Sequence, residues 1–82
     1  MFINKTKDGR NNICGKVVAQ VRTSMKLSQR ALADKLQLYG LDIDKNAIQR
    51  IESGQRFVTD IEIIALAKVL ETDLNTLLNT DI

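Results

Sequence analysis

Eighty-two residues, 44% of them hydrophobic, are enough for one globular domain, and no run of about 18 apolar residues is present that could cross a membrane. Histidine is absent and Cys14 is the only cysteine, so we predict that the chain is not an enzyme and needs no metal or cofactor. The net charge of +2 is unevenly distributed: it is +6 over residues 1–30 (seven basic, one acidic), 0 over residues 31–58 (four of each) and −4 over residues 59–82 (one basic, five acidic). The basic end could bind an anionic partner, or it could merely aid solubility.

The chain starts with a polar segment, residues 1–12, which we predict to be a flexible N-terminal arm before a domain of residues 13–82. The segment lacks the apolar core of a secretory signal, so a cytoplasmic location is expected. Helical periodicity begins after it. Apolar residues recur there at steps of three and four, which places them on one helix face: Ile13, Val17 or Val18, Val21 and Met25.

Two helices with marked ends are predicted next. Ser28 stands at an N-cap position, where its hydroxyl can accept hydrogen bonds from amides of the first turn, and Gly40 is a natural stop for the helix. After a connector, Asp44 is the next N-cap candidate. It opens a short helix that carries Ile48 and ends at Gly54.

The fourth predicted helix has the clearest start. Thr59 and Glu62 form a capping-box pattern before an apolar run, and Asp73 or Thr72 caps a short fifth helix. The β-branched Ile61 and its neighbours could suggest a strand, but they follow the helical period rather than alternation. The sequence therefore predicts an all-α domain, a compact bundle of five short helices.

Residues 13–78 resemble the Cro/repressor (Xre-type) helix-turn-helix family, with its lambda-repressor-like fold. The resemblance rests on the order and mutual spacing of six groups of residues: Gly15 with Val18, Val21 and Arg22; Leu27, Ser28 and Gln29; Leu32, Ala33 and Leu36; Ile48, Arg50, Ile51, Glu52 and Gly54; Ile63, Leu66, Ala67 and Leu70; and Leu77 with Leu78. It implies a sequence-specific double-stranded DNA-binding protein, a bacterial or phage transcriptional regulator of the repressor type, whose third helix reads the major groove of an operator.

The third helix offers candidate base-reading residues. If Ile48 and Ile51 pack inward, its other face carries Lys45, Asn46, Gln49 and Arg50, although an ordinary solvated face would have the same composition. Arginine can bind guanine with two hydrogen bonds, and asparagine or glutamine can bind adenine in the same way. The resemblance further implies contacts to the DNA backbone, for which the candidates are Lys26, Ser28, Gln29, Gln55 and Arg56.

The resemblance also implies a structural ion pair between Arg22 and Glu52, which would tie the first helix to the third. The sequence departs from the family pattern in the connector, residues 37–43, which is five residues longer than usual. Within it, Tyr39 could pack against the body or meet a phosphate.

The C-terminal helices carry more apolar residues than so small a core needs. We expect a homodimer through these helices, although the same residues could instead complete a single core: Ile61, Ile64, Val69, Leu74, Leu78 and Ile82. The alternative to a DNA-binding regulator is an antitoxin-like or accessory protein-interaction module on the same fold.

Overall fold

The computed structural model describes residues 4–79, and this part of the chain forms five α-helices and no strand. They are α1 (Gly15–Ser24), α2 (Gln29–Tyr39), α3 (Lys45–Ser53), α4 (Asp60–Val69) and α5 (Leu74–Leu78). The all-α class and the order of five helices predicted from the sequence are confirmed. Residues 1–3 and 80–82, which include Ile82 of the predicted dimer surface, lie outside the described residues.

Four of these helices begin at a side-chain cap that the sequence predicted. The side-chain oxygen of each cap accepts a hydrogen bond from the amide three residues on, which satisfies a donor that the helix itself leaves unpaired. Glu62 accepts in return from the Thr59 amide, which completes the capping box at α4. The distances from cap oxygen to amide nitrogen are 3.0 Å for Ser28 and Ala31, 2.8 Å for Asp44 and Ala47, 3.2 Å for Thr59 and Glu62, and 2.7 Å for Asp73 and Thr76.

The ends of α2 and α3 turn through glycine. Gly40 and Gly54 have φ angles of 109° and 84°, the left-handed region that a residue with a Cβ atom adopts only at a cost. The chain makes the corresponding turns after α1 and α4 without glycine, because Lys26 and Glu71 take φ angles of 59° and 55°. The sequence therefore marked two of these four turns by their glycine and left the other two unmarked.

The core is built from the inward faces of all five helices. α3 lies against both α1 and α2, α4 packs on α2, and α5 closes the bundle against α4 and α1. Ile43, at the end of the connector, is buried with them. The fully buried large side chains are Val18, Leu32, Leu36, Ile48, Ile51, Leu66, Leu70 and Leu77.

Cys14 belongs to this core. Its side chain is buried, and burial raises the pKa of the thiol to about 11. The thiol is therefore uncharged at neutral pH, and its part in the fold is that of a small apolar side chain.

Residues 10–12, the end of the predicted flexible arm, are hydrogen-bonded to the body of the domain. Arg10, Asn11 and Asn12 all donate hydrogen bonds to backbone carbonyls at the end of α3 or just after it. Arginine and asparagine side chains carry no apolar periodicity, so no pattern in the sequence indicates that they make such distant contacts.

The described part of the chain contains neither a candidate membrane span nor a cluster of metal-ligating side chains. No helix between residues 4 and 79 has both the length and the apolar character needed to span a membrane. Over the same residues, no cluster of three or more histidine, cysteine, aspartate or glutamate side chains could bind a metal ion.

Candidate nucleic-acid interface

The third helix divides into a buried face and an exposed polar face. Ile48 and Ile51 have no solvent exposure, whereas Lys45, Asn46, Gln49 and Arg50 are all exposed. We call these four residues the α3 polar face. Since the isoleucines fix the helix to α1 and α2, the polar face must point away from the body.

The four side chains of the α3 polar face are free to bind a ligand. Among the hydrogen bonds and ion pairs of residues 4–79, none involves the side chain of Lys45, Asn46, Gln49 or Arg50. Two cations, the Lys45 ammonium and the Arg50 guanidinium, and two side-chain amides therefore lie together on a helix about 10 Å in diameter. A DNA major groove about 12 Å wide can accommodate such a helix.

A largely buried ion pair joins α3 to α1. Arg22 Nε lies 2.6 Å from Glu52 Oε2, Arg22 Nη2 lies 3.1 Å from Glu52 Oε1, and the two side chains are only 14% and 10% exposed. Arg22 Nη1 also donates to the Leu27 carbonyl at 2.7 Å. One guanidinium thus joins α1, the turn before α2 and the last turn of α3.

Gln29, a candidate phosphate contact, also binds Glu52, and we call Arg22, Glu52 and Gln29 the Glu52 cluster. Its Nε2 donates to Glu52 Oε1 at 2.9 Å, which leaves the second N–H of the amide for another acceptor. The neighbouring Ser28 is exposed, but its Oγ caps α2 through the Ala31 amide.

Arg30 is also exposed beside Gln29. Arg30 is not among the contacts predicted from the sequence, although its charge and its place in the first turn of α2 can be read there.

The two candidates that follow α3 differ in their surroundings. Gln55 is exposed, whereas Arg56 is 31% exposed and forms an ion pair with Glu62, with Nη1 to oxygen distances of 2.8 and 2.9 Å. The guanidinium of Arg56 is therefore already partly neutralised. Lys26 is exposed at the turn between α1 and α2, where it is free of this kind of pairing within the described chain.

The sequence assigned residues 37–43 to a long connector, but residues 37–39 form the last turn of α2, and residues 40–44 join α2 to α3. Gln37 Nε2 donates to the Ile43 carbonyl at 2.9 Å, and the side chain of Ile43 is buried. Tyr39 is about half exposed and lines an apolar groove of about 340 Å³ together with Leu41 and with Ile61 and Ile64 of α4. This position favours the packing interpretation of Tyr39.

The apolar residues of the C-terminal helices face two separate grooves. Ile61 and Ile64 line the groove beside Tyr39, whereas Leu78 lines a second one with Phe57 and Ile63. Leu74 is partly exposed, and Val69 packs against the core. The exposed apolar residues of α4 and α5 therefore line more than one groove of the described chain.

In residues 4–79, α2 and α3 are consecutive helices that pack on each other within a five-helix bundle, which is the arrangement of a helix-turn-helix unit. The family model for helix-turn-helix proteins (HTH_3) matches residues 18–77, and the chain belongs to this Xre/Cro-type family. It is therefore a DNA-binding transcription regulator in the general sense that the family defines. Comparisons with curated proteins and with solved structures found no match.

Proposed function

We propose that the chain is a sequence-specific repressor that reads the DNA major groove with α3. The observation that carries this proposal is the division of α3: Ile48 and Ile51 are completely buried, and the α3 polar face is exposed and free of internal partners. A helix presented in this way can enter the groove without breaking any contact of the fold.

Within the proposal, the side chains of the α3 polar face contact bases. Arg50 would bind guanine O6 and N7, and Asn46 or Gln49 would bind adenine N6 and N7. Lys45, in the first turn of α3, would reach either a base or a phosphate. Each matched pair contributes about 1–3 kcal/mol of discrimination against a wrong base.

The proposed phosphate contacts surround the start of α2 and the loop after α3. The N-terminus of α2 carries backbone amides that favour an anion, and Ser28, Gln29 and Lys26 lie beside it. Gln55 would contact the backbone on the other side. Arg56 would have to share its guanidinium with Glu62, so we expect Arg56 to contribute less to affinity than the exposed cations.

The salt dependence of duplex binding tests the proposal. Because cations that contact phosphates release counterions, affinity should fall on the order of 10³-fold between about 50 and 200 mM salt if a dimer makes about six phosphate contacts. Fluorescence anisotropy with labelled duplexes measures this. An antitoxin-like or accessory protein-interaction module would instead bind duplex DNA negligibly even at low salt, and that result would overturn the proposal.

We further propose that the regulator is a homodimer through its C-terminal helices, since a single short helix reads only a few base pairs. The exposure of Ile61 (71%) and Ile64 on α4, and of Leu74 and Leu78 on α5, supports this interface. The dimer would bind two half-sites and would act in the bacterial cytoplasm, on the nucleoid or on phage DNA, without a metal or cofactor.

Sedimentation velocity at micromolar concentration checks the dimer. We expect a species of twice 9.2 kDa for the unaltered chain and a shift toward the monomer in Ile61→Glu, since a charge would replace exposed apolar surface on α4. Ser24→Glu adds the same charge to an exposed position of α1 and should leave the dimer unchanged. A species of 9.2 kDa alone for the unaltered chain would contradict the dimer.

A further inference from the structure

Three residues that precede α1 meet the end of α3, about 40 positions further along the chain. We call Arg10, Asn11 and Asn12 the N-terminal clamp. Arg10 Nη2 donates to the Glu52 carbonyl at 2.8 Å and approaches the Ile51 carbonyl at 3.4 Å. Both carbonyls belong to the last turn of α3, where a helix leaves carbonyls without the donor four residues on. The Ile51 carbonyl also accepts from the Gly54 backbone amide at 3.1 Å.

The two asparagines extend these contacts into the loop after α3. Asn12 Nδ2 lies 3.0 Å from the Ile51 carbonyl and 2.8 Å from the Arg56 carbonyl, and Asn12 is itself buried. The side-chain Nδ2 of Asn11 donates to the Gln55 carbonyl at 2.9 Å, and the backbone N–H of Asn11 donates to the Gly54 carbonyl at 2.7 Å. The N-terminal clamp therefore donates hydrogen bonds to five backbone carbonyls at the end of α3 and in the loop after it: those of Ile51, Glu52, Gly54, Gln55 and Arg56.

Two glycines make room for the clamp. A Cβ atom on Gly54 would lie 2.8 Å from Arg10 Cγ, and one on Gly15 would lie 2.0 Å from the Ile51 carbonyl oxygen. The close approach brings the positive N-terminus of α1 and the guanidinium of Arg10 to the negative C-terminus of α3, where both are electrostatically favourable.

We propose that Arg10 is a positioning residue for base reading: it sets the position of the last turn of α3, and through it the placement of Gln49 and Arg50 in the groove, without contacting DNA itself. This inference rests on the proposed function of the α3 polar face. Arg10 is half-buried with its guanidinium turned onto the α3 carbonyls, so its charge is used inside the fold. On this proposal the flexible arm ends before Arg10.

The test compares Arg10→Met with Lys7→Met in the full chain. Both variants remove one positive charge from the same segment, but Lys7 is exposed and outside the clamp. Affinity is measured for the preferred duplex and for a random duplex over a range of salt concentrations. Amide hydrogen exchange of Gly54, Gln55 and Arg56 is measured in the absence of DNA, with thermal unfolding as the check that both variants are folded.

If Arg10 positions α3, Arg10→Met binds the preferred duplex about tenfold more weakly than Lys7→Met does, whereas the two variants bind the random duplex equally and share one salt slope. Amide exchange after α3 becomes faster in Arg10→Met only. Equal affinities of the two variants for the preferred duplex would overturn the proposal. A salt slope lower by about 1 in Arg10→Met would also overturn it, because Arg10 would then contact a phosphate.

The exchange measurement separates this inference from the proposed function. If the chain failed to bind duplex DNA at all, the proposed function and the base-reading role of Arg10 would both fall. Faster exchange after α3 in Arg10→Met would still show that Arg10 holds this turn, and unchanged exchange would show that the N-terminal clamp does not determine the position of α3.

Discussion

Replacement of Glu52 by alanine is expected to lower the free energy of unfolding by about 3–5 kcal/mol, the largest stability effect we predict for a single substitution. The variant leaves the Arg22 guanidinium, only 14% exposed, without its carboxylate partner, and it removes the acceptor of the Gln29 amide. For a domain of this size the melting temperature should fall by about 12 °C or more. Circular dichroism during heating measures the change.

Two further variants identify the cause. Asp34→Ala removes an exposed acid from α2 and should change stability by no more than about 0.5 kcal/mol. Glu52→Gln keeps an oxygen that can accept from Arg22 but loses the charge, so its melting temperature should lie between those of Glu52→Ala and the unaltered chain. An unchanged melting temperature in Glu52→Ala would contradict the structural role of the cluster formed by Arg22, Glu52 and Gln29.

Replacement of Arg50 by alanine is expected to weaken binding to the preferred duplex by about 1–3 kcal/mol and to erase the preference for one base pair. The reason is that the exposed guanidinium of Arg50, free of partners in the described fold, is proposed to supply both hydrogen bonds to a guanine. Stability should change little because Arg50 is exposed. Anisotropy titrations with duplexes that differ at single base pairs measure the loss.

Arg50→Lys is the matched variant for this prediction. Lysine keeps the positive charge but lacks the planar fork that binds two acceptors at once. We expect Arg50→Lys to retain the affinity for random duplexes and to lose most of the discrimination at one base pair. If Arg50→Ala instead weakened binding to every duplex equally, Arg50 would be a phosphate contact and not a base reader.

The features that the sequence predicted well are those set by residues close together in the chain. Ser28, Asp44, Thr59 and Asp73 cap helices through amides three residues away, and Gly40 and Gly54 end helices through their own backbone angles. Apolar spacing likewise separates Ile48 and Ile51 from the α3 polar face. Because these interactions are local, their patterns can be seen before the chain is folded.

The features that escaped prediction depend on polar contacts between distant residues. Arg10 and Asn12 bind carbonyls of α3, and nothing in their own neighbourhood indicates it. Arg56 pairs with Glu62. The sequence accounted for Glu62 only as a member of the capping box with Thr59, so it gave no sign of this ion pair. Arg22 and Glu52 are 30 positions apart, and only the family resemblance implied that they would meet.

Residues 37–43 combine a feature that the sequence revealed with contacts that it did not. The length of this segment marked it as a departure from the family, but length alone does not say where a loop goes. The structure keeps residues 37–39 in α2, joins the Gln37 side chain to the Ile43 carbonyl, and buries Ile43. Tyr39 is half exposed and lines a groove with Ile61 and Ile64 of α4.

The exposed face of α3 is proposed to read a defined DNA sequence. Selection of bound duplexes from a random pool by the full chain tests this most directly. We expect enrichment of one motif with two similar halves about 10 base pairs apart, and we expect its preferred bases to change when the selection is repeated with Asn46→Ala. A pool that stays random after repeated rounds, or the same motif selected by Asn46→Ala, Gln49→Ala and Arg50→Ala alike, would contradict it.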